Sequence, residues 1–341
     1  MNMELTRKEL SVLLRNAVRE AMDDRLRKAY GPAGEPGDPK KRLVDIVKAM
    51  AFRNEAMLKT LTSGDTPFLP AGVSDEVIKA AERGASVRPG ATVHRVSEST
   101  GRIPVARPSL TAYWVSEGTE PPDESQPAFT YLAWNANKLK AFTRVTLEAL
   151  EDNSADIGAE ITDSLGRAIR HTEETAFWLG DGSGKPSGID PAIPSSWVID
   201  ATGREILEVL NEIYLKLPVE FRERATWYTN SATKALLLGL ADTAGRPLLT
   251  PSLSEAFPWT IYGRPVREAT VLADGDIYLG DMSFYHIFDR RSMEIRVITE
   301  DEDLALKDEV LITVTERTDG KLAWDTDGGI TPFVKAENLG Q

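Results

Sequence analysis

Between Leu5 and Ala29, apolar residues recur at Leu10, Leu14, Ala17, Ala21 and near Leu26 with charges between them, the spacing of a helix with one apolar stripe. The run Gly31-Pro-Ala-Gly-Glu-Pro-Gly-Asp-Pro39 breaks the chain as a linker, and a second helical pattern follows through Leu43, Val47, Met50, Met57 and Leu61. Two charged helices around a linker bury little alone. The segment therefore reads either as a solvated hairpin or as a self-association element built on Leu10, Leu14, Ala17 and Ala21. Ser63–Pro70 reads as a loop or extended arm. Strand-like pieces at Arg102–Arg107 and Ala112–Ser116, separated by Pro108, lead into Glu117-Gly-Thr-Glu-Pro-Pro-Asp-Glu-Ser-Gln-Pro127. That stretch holds Glu117, Glu120, Asp123 and Glu124 and no cation, and is too polar and proline-rich to be core. Alternation resumes from Phe129 to Thr146, which also carries Lys138, Lys140 and Arg144. Ser97–Val145 thus predicts a long two-stranded excursion with an acidic tip, and since an isolated ribbon is marginal in water, something must lie beneath it.

The strongest helical pattern spans Asp156–Trp178, where Ile157, Ile161, Leu165 and Ile169 repeat every four residues, with Thr172 and Ala176 extending the stripe. Ser154 fits its N-cap and Gly180 its stop, and the length is roughly 35 Å at 1.5 Å per residue. Beyond Pro191 the pattern becomes α/β: a helix near Arg204–Leu215, a strand at Ala225–Thr229, a helix over Ser231–Leu240 capped by Ser231, and strands near Thr260–Tyr262 and Asp276–Gly280. The end is β-rich, with strands at His286–Asp289 and Glu294–Ile298 around a turn at Arg290–Ser292, then Val310–Arg317 and Lys321–Trp324. No internal repeat is present.

A length of 341 residues fits two domains or one large elaborated one, and 41% apolar residues suffice for a core. No window approaches ~18 uninterrupted apolar residues, and Met1–Arg7 lacks the features of a secretory signal. The absence of cysteine removes disulfides, thiolate metal sites and cysteine nucleophiles, and fits assembly in a reducing cytosol. With 40 Lys+Arg against 53 Asp+Glu the net charge is −13, which argues against gripping nucleic acid through its phosphates but not against enclosing it.

Catalytic signatures fail one by one. His94, His171 and His286 are the only histidines, and none stands at helical spacing from another, so they predict no metal site. Gly180-Asp-Gly-Ser-Gly-Lys-Pro-Ser-Gly188 departs from a phosphate loop: Leu179 stands at the first glycine position, Pro186 replaces the hydroxyl residue, and the segment follows a helix. It reads as a chain reversal. Ser231-Ala-Thr-Lys234 matches a Ser-x-x-Lys motif in letters, without the companion Lys-Thr-Gly. No catalytic, cofactor-binding or metal-ligating set is predicted.

The helix terminus Phe177-Trp-Leu-Gly-Asp-Gly-Ser-Gly-Lys-Pro-Ser-Gly-Ile189 resembles the spine-helix end of tailed-bacteriophage major capsid proteins of the Hong Kong 97 fold. Thr111-Ala-Tyr-Trp-Val-Ser-Glu-Gly118 and Lys138-Leu-Lys-Ala-Phe-Thr-Arg-Val-Thr-Leu-Glu-Ala-Leu-Glu-Asp152 are similar to that family's E-loop and the segment leading to its spine. Trp227-Tyr-Thr-Asn-Ser-Ala-Thr-Lys234, Gly245-Arg-Pro-Leu-Leu249, Tyr262-Gly-Arg-Pro-Val266, Tyr278-Leu-Gly-Asp281, Tyr285-His-Ile-Phe-Asp-Arg-Arg291 and Glu316-Arg-Thr-Asp-Gly-Lys321 follow in the family's order. The likeness covers about Phe68 to Val334.

This resemblance implies an α+β fold with seven parts: a helical delta-like scaffolding segment (1–62), an N-arm and the start of a peripheral domain (63–96), an E-loop (97–145), a peripheral domain with spine helix (146–190), an axial α/β domain (191–282), peripheral strands (283–320) and a return to the axial domain (321–341). It implies a structural protein, not an enzyme, that self-assembles through pentamers and hexamers into an icosahedral phage or prophage head. The head would enclose double-stranded DNA without specific binding, be assembled in the host cytoplasm and reside in the virion capsid. Portal, scaffold, maturation protease and decoration proteins are the further partners implied; no cofactor and no membrane are. An encapsulin-type nanocompartment shell is the alternative, and an enzyme with an unrecognised site the remote one.

Some members of the family weld subunits through an isopeptide bond between an E-loop Lys and an Asn, helped by a Glu. Here the tip lacks Lys, and Asp308 and Thr315 stand at the acceptor and helper positions, so the resemblance does not extend to covalent cross-links. Instead the acidic tip is expected to meet basic residues of a neighbour. Arg290, Arg291 and Lys307 are the candidates, taken from the β-rich end where the family's loop lands.

Overall fold

The computed structural model describes residues 84–106, 114, 129–146, 148, 154–240, 259–299, 301–323 and 331–340. The N-terminal helices with Leu10, Leu14, Ala17 and Ala21, the Ser63–Pro70 arm, the Ala112–Ser116 strand apart from Trp114, and the acidic tip with Glu117, Glu120, Asp123 and Glu124 lie outside the described residues.

In chain order the strands are β1 (Thr92–Arg95), β2 (Thr100–Ala106), β3 (Phe129–Asn135), β4 (Asn137–Thr146), β5 (Val198–Asp200), β6 (Thr226–Thr229), β7 (Thr260–Ile261), β8 (Arg264–Glu268), β9 (Ile277–Gly280), β10 (Tyr285–Ile298), β11 (Glu309–Leu322) and β12 (Phe333–Glu337). The helices are α1 (Ser154–Leu179), α2 (Ile189–Ala192), α3 (Ile206–Lys216), α4 (Val219–Arg222), α5 (Ser231–Leu238) and α6 (Glu302–Ala305). They build a four-stranded sheet β1-β10-β11-β4, a six-stranded sheet β5-β12-β9-β6-β8-β7, and a separate ribbon β2-β3.

Helix α1 lies along β4 and β11, and its stripe Ile161, Leu165 and Ile169 is buried. The same face of β11 is buried at Val310, Ile312, Val314 and Glu316. Ser154 is already helical rather than flanking the helix. At the other end Phe177 and Trp178 enter a cluster with Ile189, Tyr228, Tyr278, Phe333, Tyr285 and Ile287, which welds the two large sheets together. The six-stranded sheet is buried on both faces. Tyr228, Tyr278 and Phe333 point into that cluster, while their neighbours Trp227, Leu279 and Val334 point into a second one with Val209, Leu210 and Ile213 of α3.

Three sequence expectations change. The excursion is shorter than Ser97–Val145: β2 pairs only with β3, from Thr100↔Asn135 to Ala106↔Phe129, while β4 turns away at Ala136 and pairs with β11. Its half-buried positions Leu139, Ala141, Thr143 and Val145 alternate with exposed ones, as one-sided packing requires. The expected turn at Arg290–Ser292 is a bulge, with register shifts on both sides of Arg291, inside the single strand β10. The cap of α5 is Asn230, whose side chain accepts from Thr233 N–H, not Ser231.

Candidate assembly surfaces

The residues with chemical potential are engaged in structural pairs. The Ser231 hydroxyl donates to Glu268 (3.0 Å), and Lys234 pairs with the same carboxylate. His94 Nε2 and His286 Nδ1 lie 3.0 Å apart and His94 stacks on Phe288, while His171 is exposed on α1. Burial, then the neighbouring His94, push His286 down to about 4. Among the described residues no group of three or more His, Cys, Asp or Glu could hold a metal. The glycine segment after α1 is a tight reversal. Asp181 bridges Ser187, Gly188 N–H donates to Gly180 O (2.7 Å), and a Cβ at Gly180 would sit 2.2 Å from Pro186 O.

A buried polar network fastens residues 86–88 to this frame. Glu174 on α1 accepts from the backbone N–H groups of Ser86 (3.0 Å) and Val87 (3.2 Å) and from the Ser86 hydroxyl, which accepts from Trp178 Nε1 (2.9 Å). Arg88 then reaches three elements: Glu173 on α1 (2.6 Å), Asp289 on β10 (2.9 Å) and Glu316 on β11 (3.1 Å). One guanidinium against three carboxylates leaves a surplus of negative charge where water is scarce. Burial, reinforced by Glu173, pushes Glu316 up to about 8, and burial also raises Glu173. Local sequence gives no sign of this network, since Arg88 lies 85 to 228 residues from its partners.

On the side of the four-stranded sheet away from α1, the register sets Lys138 beside Arg317, Lys140 beside Thr315, Phe142 beside Thr313 and Arg144 beside Leu311. Arg296 lies across from Thr313 on β10, and Glu294 across from Thr315. Lys138, Lys140, Phe142 and Arg144 are all exposed, Phe142 to 66%. Among the described residues, Arg296 pairs with Glu294 (2.7 Å) and Arg144 with Glu309 (3.6 Å) on this face, which Lys138, Lys140 and Arg317 share. A chain of net charge −13 thus presents one positive sheet face.

The ribbon is rooted on the same face. Trp134 of β3 stacks on Phe288 (centroids 5.0 Å, 13° between planes), and Asn135 N–H donates to Asp319 (2.7 Å), which faces Phe288 across β10 and β11. Gly101 opposes Trp134, and a Cβ there would lie 2.2 Å from the indole. This root is the support that the isolated ribbon needed.

The six-stranded domain carries a second exposed surface. Leu207 and Leu215 on the outer side of α3, Val219 of α4 and Tyr262 are 42%, 69%, 70% and 41% exposed. Tyr262 sits at the β7–β8 turn with φ +51°, a backbone region costly for an aromatic residue. Its hydroxyl donates to Asn211 (2.5 Å) and its ring packs on Tyr214 (5.1 Å).

Of the basic residues singled out in the sequence, Arg290 donates to Ser97 O (3.3 Å), Arg291 pairs in register with Arg317, and Lys307 is exposed ahead of β11. The structure keeps Arg290 and Arg291 close but not Lys307, which belongs to the other end of β11. Lys138, Lys140, Arg144, Arg296 and Arg317 were not singled out as a set. They form one only because β11 pairs with β4, whose partners stand about 160–180 positions away in sequence, and on its other edge with β10, which brings Arg296.

A family model described as the phage capsid family matches residues 66–325. The fold is similar to the capsid of a native GTA particle, with 21% identity and a TM-score of 0.60 over 75% of this chain and 90% of that one. It is similar to chains from Microbacterium phage Oxtober96 (19%, TM-score 0.57, 74% and 91% covered) and Mycobacterium phage Bobi (17%, TM-score 0.57, 76% and 91% covered). No curated protein matches the sequence.

Proposed function

The chain belongs to the phage capsid family and is a structural capsid protein with the Hong Kong 97-type α+β fold, and from that premise we propose that it closes into an icosahedral shell through five- and six-membered rings around double-stranded DNA. The observation that carries this reading is the family match over residues 66–325, which spans every described element except β12. A nanocompartment shell is the less favoured alternative. In keeping with a structural role, Ser231 and Lys234 are engaged with Glu268, and His94 with His286. The enclosed DNA is held by confinement, because a subunit of net charge −13 gains little from phosphates.

In this arrangement residues 191–282 face the ring axis, and α1 with the four-stranded sheet forms the periphery. The exposed surface of Leu207, Leu215, Val219 and Tyr262 supports that assignment, since identical copies in a ring meet through unlike patches. Residues 1–62 act as a built-in scaffold during assembly. The location is the virion capsid, reached by assembly in the host cytoplasm. Negative-stain microscopy of the expressed chain tests the whole: closed shells or capsomers are expected, and a monodisperse monomer at every concentration would exclude the reading. A map placing residue Glu124 at the ring centre would exclude the layout.

A further inference from the structure

We propose that the root of the ribbon is an acid-operated latch: protonation of both imidazoles of the His94–His286 pair sets two cations against each other beside the aromatic stack and frees β2–β3 from the four-stranded sheet. The register of β1 with β10 sets His94 beside Phe288 and Thr92 beside His286, so both imidazoles and the Phe288 ring share one face of the sheet. His94 Nε2 and His286 Nδ1 lie 3.0 Å apart, a hydrogen bond that needs a proton on one facing nitrogen and none on the other. His94 also stacks on Phe288 (5.2 Å, 17°), and Phe288 carries Trp134 (5.0 Å, 13°). The Trp134 indole N–H has no hydrogen-bond partner among the described residues, so stacking is what seats that ring. Displacing His94 disturbs the platform on which the ribbon stands.

The charges around the pair set the direction of the response. On the same face β11 places Lys321 across from His286 and Asp319 across from Phe288, and β10 adds Arg290, which donates to Ser97 O (3.3 Å). Arg95 and Asp289 alternate to the other face, where Asp289 holds Arg88. Glu98 lies in the connector to β2, and the ribbon's Arg102 sits over Tyr131. Burial, then the neighbouring His94, hold His286 down to about 4, against 6.5 for a free imidazole. A released root therefore binds the proton better than a docked one, by tenfold per pH unit between those values and about 300-fold in all. Burial raises Asp319, so its own titration favours the docked root as pH falls, and release has to come from the histidines.

A nitroxide label on Ala133→Cys tests the latch, since the chain has no other thiol and Ala133 is exposed next to Trp134. In the full-length chain its electron paramagnetic resonance spectrum should be that of an immobilised label at pH 7. It should sharpen to that of a mobile one with a midpoint between about pH 4 and 6. A separate label at Glu208→Cys on α3 should keep its spectrum over the same range. His286→Asn leaves His94 a neutral hydrogen-bond partner and should abolish the transition, whereas Asp319→Asn should leave it in place. His286→Lys, which fixes a charge at the pair, should free the Ala133 label already at pH 7. An Ala133 label that stays immobile down to pH 4, or at pH 7 in His286→Lys, would overturn the latch. So would a transition that survives His286→Asn, one that vanishes in Asp319→Asn, or mobilisation of both labels together, which is unfolding of the whole subunit.

Discussion

Replacing Arg88 by Met removes the cation that pairs with Glu173, Asp289 and Glu316 while keeping much of the side-chain volume. Breaking one side of a buried ionic network costs about 3–5 kcal/mol when the remaining charges stay buried. The three carboxylates can avoid part of this by taking up a second proton in addition to the one that the raised Glu316 already holds near neutral pH. Holding a proton on a carboxylate above its ordinary range costs about 1.4 kcal/mol per pH unit. The sign follows from the raised native value: stability is fully present below the unfolded value near 4, and is lost as pH rises toward the native one. Arg88→Met should therefore cost ~1 kcal/mol near pH 5 and ~4 kcal/mol near pH 7. At 2–4 °C per kcal/mol, the loss in Tm near neutral pH is roughly 10 °C. Thermal melting of dissociated subunits at both pH values measures this, with Arg88→Lys falling between because it keeps the charge but loses the fork. Equal losses at the two pH values would show that Arg88 acts through packing alone, and the electrostatic account would be refuted.

Gly101→Val should push Trp134 off Phe288, since a Cβ at Gly101 already falls 2.2 Å from the indole. Limited proteolysis should then cut the ribbon several-fold faster, and an unchanged cleavage rate would deny the root its role. Mature particles boiled in denaturing detergent should run as a single band at or just below the subunit mass, because the chain has no cysteine and its acidic tip no lysine; a resistant ladder would reveal covalent links. Leu14→Glu with Ala21→Glu, or truncation at Ser63, should alter shell size or yield, and normal assembly of the truncated chain without a separate scaffold would end the scaffolding proposal.

Elements governed by one-sided packing were legible in the sequence. Ile161, Leu165 and Ile169 mark α1 because a helix against a sheet needs an apolar stripe, and β3 and β4 alternate because one face of each meets water or a neighbour. Strand β12 was not recognised, since Phe333–Ala336 is buried throughout and shows no alternation. Arg290-Arg291-Ser292 looks like a turn because a polar run at a bulge has the same composition as a loop. Lys138 and Lys140 were visible as residues but not as part of a surface. Their neighbour Arg317 arrives through antiparallel pairing, and no window along the chain contains both. Arg88 was unreadable for the same reason, its meaning residing in three carboxylates carried by separate elements.

The stack of Trp134 on Phe288, itself stacked with His94, also makes the ribbon a lever. Flat rings slide and tilt at little cost, whereas the backbone ladder above them is stiff. With a ladder of about 20 Å, a tilt of about 10° at the root sweeps its far end, at Ala106 and Phe129, through about 3–4 Å. In the proposed shell, angles between neighbours differ slightly between five- and six-membered rings, and one invariant chain bridges them all. An aromatic pivot at the near end of a stiff ladder provides that tolerance.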